Sequence, residues 1–288
     1  MKSPGRAIGS AVVTSMIPFL TLFSGAIVAL VWLYAGRSHG LKVLLAACLP
    51  GLYYWLAMDS PDVLLALVGS ALLADFLREG KAWSQLLLVG ALLAAVVALT
   101  LKWLPPELMN TLVTALMEHQ GMTEQFELGA ADMQRLVVML DLLLNGAITS
   151  LQLLMVLGSV LLARWWQSLL YNPGGFQREF HSIRLPAWSG LLLPVVLVLV
   201  AAGQSWLMPV IPVLLVPHLV AGVALVHGVF GIKKYNSFWL GLLYVSLLFA
   251  QPYMSVLLVL IALADSLMNF RHRLAPPPPP PQDGDGEA

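Results

Sequence analysis

Charge is what this sequence has least of. Only 10% of its 288 residues are charged, and 15 Lys+Arg balance 15 Asp+Glu to a formal net charge of zero. A soluble domain carries about 25% charged residues, so this chain has too few to wet a globular surface. A soluble enzyme and a disordered chain are both excluded. The balance excludes a nucleic-acid binder, whose footprint is a strong basic excess. Cysteine is nearly missing as well: Cys48 stands alone in an apolar run, which removes a disulfide scaffold. The sequence has no Gly-x-x-x-x-Gly-Lys-Ser/Thr loop, no His-Glu-x-x-His, no Gly-x-Ser-x-Gly and no Cys/His pair with catalytic logic. It carries no ATPase of its own; neither enzymatic chemistry nor a cofactor is expected.

What is present is hydrophobicity, at 59% of residues and a mean hydropathy of +0.84. A spanning helix needs roughly 20 apolar residues, and the runs between charges fall at about 7–20, 22–36, 41–57, 62–77, 83–103, 133–163, 188–203, 207–231, 237–249 and 253–270. They are continuous blocks without the alternation of a barrel strand. The expected fold is all-α, a transmembrane helical bundle of about eight to ten spans over residues 1–274.

Basic residues set the orientation. Arg37/Lys42, Arg78/Lys81, Arg164/Arg178/Arg184, Lys233/Lys234 and Arg271/Arg273 occupy every second connection, and the alternate connections have none. The basic side reads as the cytoplasm. Lys2 and Arg6 join it only if residues 7–36 cross twice, turning near Pro18 through Phe23; a single crossing is the alternative. Both termini are then cytoplasmic. The start also mimics a secretory signal, but hydrophobicity continuing to Tyr34 favours a retained helix. Segment 104–131, with Glu107, Glu118, Glu124 and Glu127, is expected as an acidic outer loop. Segment 164–186 is expected as a cytoplasmic loop, and 275–288, beginning with the run Pro276–Pro281, as a disordered tail.

Polar groups inside a span cost a few kcal/mol each and are default functional candidates. At about 100° per residue, Asp141, Asn145, Gln152 and Ser159 fall within about 40° of one another on the 133–163 helix. That segment is about 45 Å long, longer than the hydrocarbon. Two readings stand. Either Asp141, Asn145 and Gln152 line a pocket open to the outside, or their side chains bond across packed helices. His218 follows Pro217 in a helix that also holds Pro209 and Pro212, where a broken backbone exposes carbonyls to a ligand; it joins the candidate pocket. His227 lies nine residues on, on the opposite face, so the two histidines share no metal. Ala221, Ala224, Gly228 and Gly231 lie within about 80°, a small-residue seam for a packed helix or a partner. Asp75, three residues before Arg78, is expected to pair with it locally. Asp265 and Asn269 are expected to reach the interface at the end of the last helix.

The 164–186 segment carries a resemblance. Trp165-Trp166 followed by Tyr171-Asn172-Pro173-Gly174-Gly175-Phe176, then Glu179-Phe180 and Arg184-Leu185-Pro186, resembles the YybS-like family of bacterial inner-membrane proteins. His227-Gly228 and Ala264-Asp265 are similar to it too, and the likeness spans residues 7–274. That family is similar, remotely, to the substrate-binding S components of energy-coupling-factor transporters and to the rod-shape protein MreD. The resemblance implies a bacterial inner-membrane location and an S-component-like core with extra helices. It implies a substrate-binding or transport-type subunit of unknown substrate, working with a coupling partner, or alternatively a non-transporting envelope scaffold. Ala7 and Ala11 match the small pair that packs on the coupling protein in S components.

Overall fold

In a hydrocarbon slab the backbone has only its own chain to bond, and all regular structure among the described residues is accordingly helical. The computed structural model describes residues 4–103, 105, 107, 111, 114–115 and 130–274. Most of the expected acidic loop and the whole 275–288 tail lie outside the described residues.

Helix α1 (Pro4–Ser15) is followed by a 3-10 turn at Pro18–Leu20 and then α2 (Thr21–Ala35). Ser24 Oγ donates to the Ala11 carbonyl at 2.7 Å, atoms that one unbroken helix would hold about 20 Å apart. The chain therefore folds back near Pro18–Leu20, where the expected turn lies. With 12 residues, α1 is about 18 Å long and too short to cross alone.

Next come α3 (Arg37–Met58), α4 (Asp62–Arg78) and α5 (Trp83–Thr100). Their reversals use left-handed residues at Gly36 (φ 89°), Asp59 (φ 50°) and Gly80 (φ 77°); aspartate is among the few side chains that tolerate this region. Helix α6 (Ala130–Tyr171) is the longest, at 42 residues, followed by the short α7 (Gly175–His181). The remaining helices are α8 (Leu192–Ala201), α9 (Val210–Lys233), α10 (Phe238–Phe249), α11 (Tyr253–Met268) and α12 (Phe270–Leu274).

Among the described residues, five helical stretches are long and apolar enough to cross a bilayer: Pro18–Ala35, Arg37–Met58, Trp83–Thr100, Gln134–Tyr171 and Ser205–Lys233. Ala187–Ala201, Phe238–Phe249 and Tyr253–Met268 are shorter apolar helices. Large side chains such as Phe19, Leu56, Leu248 and Leu267 lie exposed on the outside, as a lipid-facing surface allows and a water-facing one does not. This is a multi-pass membrane protein.

Helix α6 runs through the middle. Its Leu153, Leu157 and Val160 are buried with Leu86 and Leu87 of α5 and Val213 and Ala224 of α9. A second cluster joins Ala7 and Ala11 of α1 to Val28, Val43, Ala47 and Leu67.

Four sequence expectations are corrected by the geometry. The 164–186 segment is not a loop throughout, because α6 continues to Tyr171 and ends only at Asn172–Gly174. A single arginine does not stop a helix; the turn residues there, with Gly174 at φ 79°, do. Helix α9 is continuous from Val210 to Lys233: Pro209 precedes it and Pro212 lies in its first turn, where proline is tolerated, and Pro217 stands inside it without ending it. Asp75 is bound by Arg37, with Oδ1 2.7 Å from Nε, and by Trp32 Nε1 at 2.9 Å; Arg37 also reaches Glu79 at 2.5 Å. Burial of Asp265, at 2% exposure, likewise replaces its expected reach to the interface.

Candidate functional site

The polar stripe on α6 is present, and its groups are engaged by neighbouring helix ends. Asp141 pairs with Lys102 at 2.5 Å, beside the end of α5. Asn145 Nδ2 donates to the carbonyls of Ala98 (2.8 Å) and Leu101 (3.0 Å), and its Oδ1 accepts from Trp103 N (3.1 Å). The last carbonyls of a helix have no partner within it; one amide satisfies two of them and an N–H. Thr149 Oγ1 accepts from Trp103 Nε1 at 2.7 Å. Gln152 Nε2 donates to the Asp62 carbonyl at the start of α4 (2.6 Å), and Ser159 Oγ to the Leu22 carbonyl at the start of α2 (2.9 Å).

Asp141, Asn145 and Gln152 thus each have a partner within the chain, which is the contact pattern of the second reading. Gln152 and Thr149 do border a crevice of about 280 Å³ on the flank of α4, α5 and α6, but the rest of that crevice is almost wholly apolar. His218, 4% exposed, directs Nδ1 at the Leu214 carbonyl of its own helix (3.0 Å). Among the described residues its Nε2 has no hydrogen-bond partner, and no hydrogen bond ties it to the stripe.

The small-residue seam packs within this chain. Ala221 and Ala224 lie in the core. A Cβ added at Gly228 would sit 2.9 Å from the His181 carbonyl, and one at Gly231 would sit 3.0 Å from the His181 ring. These glycines let α7 rest on α9. Ala7 (3%) and Ala11 (0%) are likewise covered by the chain's own helices.

The basic connections converge on one end of the bundle, and there α7 stands between two cavities. A row of rings runs from Trp83 through Phe176 and Phe180 to His227 and Tyr244, with successive centroids 6.4, 5.7, 5.4 and 5.8 Å apart. On one side of α7 lies a cleft of about 1000 Å³ between α6, α7, α9 and α10, walled by Leu161, Trp165, Phe180, Phe230 and Leu240 and reaching Lys234 at its rim. Helix α10 buries no residue. Its Tyr244 hydroxyl meets His227 Nε2 at 3.2 Å, while His227 Nδ1 lies 2.9 Å from the Val223 carbonyl. That carbonyl can only accept, so Nδ1–H donates to it, which leaves Nε2 of the neutral ring to accept from the tyrosine hydroxyl.

His181 lines the same cleft. Burial first, then the nearby His227 and Arg271, hold its imidazole below the ordinary value. The unfolded ring gains its proton as the pH falls through about 6.5, and the folded ring resists until a lower pH. Its packing is therefore at full strength above pH 6.5 and weakens below it. Amide protection factors over residues 175–184, referred to the intrinsic exchange rate at each pH, are expected to fall from pH 7.5 to pH 5.5 in the wild type and to stay level in His181→Gln.

On the other side of α7, Arg164 forms a two-pronged pair with Glu179 through Nε (2.9 Å) and Nη2, and Trp83 Nε1 donates to Glu179 Oε2 at 3.3 Å. Burial opposes the charge on Glu179, but the guanidinium and the indole outweigh it and hold the carboxyl below its usual range. Arg184 is fixed by the backbone of α11, donating to the Asp265 (2.9 Å) and Ser266 (2.7 Å) carbonyls. Asp265 Oδ1 accepts from Phe270 N at 2.8 Å.

Comparison with protein-family models, curated proteins and solved structures finds no match to this chain. The site must speak for itself. Among the described residues no group of three or more His, Cys, Asp or Glu could hold a metal. Sequence reasoning singled out the segment that walls the cleft but missed the cleft. The available signal was the aromatic and histidine content of 165–181 together with His227 and Tyr244, which only tertiary packing brings into one row.

Proposed function

We propose that this chain is a ligand-binding, transport-type subunit of the bacterial inner membrane, with both termini cytoplasmic and no motor of its own. The ligand is an amphipathic molecule held in the cleft at the basic end. The observation that carries the reading is the cleft: about 1000 Å³ of space walled largely by aliphatic and aromatic side chains, with Lys234, His181, His227, Gln177 and Tyr244 among its polar groups. Small-molecule sites have this build, mostly apolar with a few convergent polar groups. The resemblance of residues 165–186 to the YybS-like family supports the inner-membrane location, and those residues form one wall. Energy is supplied by a coupling partner or an ion gradient.

The test is chemical. The full chain is purified in mild detergent, and solvent extracts are compared between wild type and Leu240→Trp, which fills the cleft from α10. An amphiphile retained near one per chain by the wild type and lost from the variant supports the proposal. No retention, or equal retention by both, overturns it.

The alternative, a non-transporting envelope scaffold, has one observation on its side: the stripe groups bond to this chain's own backbone and act as glue. Pull-down of the intact protein with cell-shape proteins rather than coupling subunits would favour it.

A further inference from the structure

The second cavity on the basic end is distinct from the proposed cleft and has the opposite character. It is a half-open cavity of about 530 Å³ between the α4–α5 connection, the end of α6 and the residues following α7. Four cations line it, Arg78, Lys81, Arg164 and Arg184, against a single carboxylate, Glu179. That carboxylate is already committed to Arg164 and Trp83. Arg184 is locked by two backbone carbonyls of α11, so its charge is placed by the fold and not by a counter-ion. Arg78 lies over Gly36, where an added Cβ would be 3.1 Å from its Nη2. Among the described residues neither Arg78 nor Lys81 enters an ion pair; the two carboxylates nearest Arg78 in sequence, Glu79 and Asp75, are both held by Arg37.

A basic excess on one membrane face serves orientation, but orientation needs only charges near the span ends. It does not need four of them, from three separate chain segments, to converge on one half-open cavity. Their mutual repulsion there is unfavourable unless an anion offsets it. Trp83 and Ser84, the first residues of α5, line the same space, so the partial positive charge of a helix start lies beside it. The volume exceeds that of a bare phosphate and falls in the range of small organic ligands. Trp83, Leu77 and Ile183 supply an apolar wall for an organic portion.

We infer that this cavity binds a phosphate ester, with Arg78 and Lys81 as the charges left open to the phosphate and Arg184 as a fixed third. The ester comes either from a soluble phosphorylated molecule or from the headgroup of an anionic lipid. The site is independent of the amphipathic cleft.

The full chain in phosphatidylcholine nanodiscs is titrated calorimetrically with glycerol 3-phosphate at constant ionic strength. In a parallel arm, thermal stability is compared between nanodiscs of phosphatidylcholine alone and of an equimolar mixture with phosphatidic acid. The double variant Arg78→Gln/Lys81→Gln and, separately, Ser84→Glu are compared with the control Lys42→Gln, a cation outside the cavity. Saturable glycerol 3-phosphate binding that weakens at least tenfold in both cavity variants and persists in the control supports a soluble ester. Stabilisation by phosphatidic acid alone, lost in the same variants, supports a lipid headgroup. No response in either arm, or a response that survives both cavity variants, overturns the inference.

Discussion

Asn145→Leu is expected to destabilise the bundle by about 2–4 kcal/mol, although leucine fits hydrocarbon better than an amide does. The loss leaves the Ala98 and Leu101 carbonyls and the Trp103 N–H unbonded, in a place where Asn145 is only 6% exposed. Each buried group without a partner costs about 1–3 kcal/mol, and single polar contacts in membranes average nearer 0.6 kcal/mol, so the sum sits between those scales. Ser150→Ala serves as the control, because Ser150 bonds only the Gly146 carbonyl of its own helix. Unfolding in mixed micelles should separate the two variants clearly. Equal stability of Asn145→Leu and wild type would mean that the amide does not hold the end of α5.

Gly222→Leu is expected to cost 3 kcal/mol or more, at the upper end of overpacking effects. A Cβ at residue 222 would lie 2.3 Å from the Leu258 carbonyl oxygen and 2.8 Å from its carbon. Backbone cannot swing aside as a side chain can, so α9 and α11 must separate. Even Gly222→Ala should be markedly destabilising, whereas Gly241→Ala, with nothing within 4 Å of its Cβ, should be neutral. Thermal unfolding in detergent with these three variants checks the ordering, and an unaffected Gly222→Ala would contradict the close approach of the two helices.

Helical character and the membrane were legible because both are written in composition and in runs between charges. Most helix ends lie within a few residues of where charge and turn residues place them. The exceptions are instructive. Helix α6 overran Arg164 because a charge at the headgroup layer is compatible with a helix, and only Asn172-Pro173-Gly174 terminates it. The stripe Asp141–Asn145–Gln152–Ser159 was visible as a line, since helical periodicity fixes which residues share a face. What that line touches depends on where α2, α4 and α5 begin and end beside it, and periodicity within one helix holds no information about its neighbours. For the same reason, Arg37 could not be assigned to Asp75 across a reversal, nor Glu179 to Arg164. The aromatic row from Trp83 to Tyr244 joins five residues from four helices, and no spacing rule announces it.

The distribution of dry and open space can be measured directly with a cysteine-free Cys48→Ala background. Single cysteines are placed at Ser159 and Thr149 on the stripe, and at Phe230 in the cleft. Each is challenged with a membrane-impermeant maleimide in right-side-out and inverted vesicles. The account predicts labelling of residue 230 from the basic face alone, slowed by any bound amphiphile, with residues 149 and 159 unreactive from both sides. Rapid labelling of the stripe cysteines from the opposite face, with residue 230 silent, would contradict it.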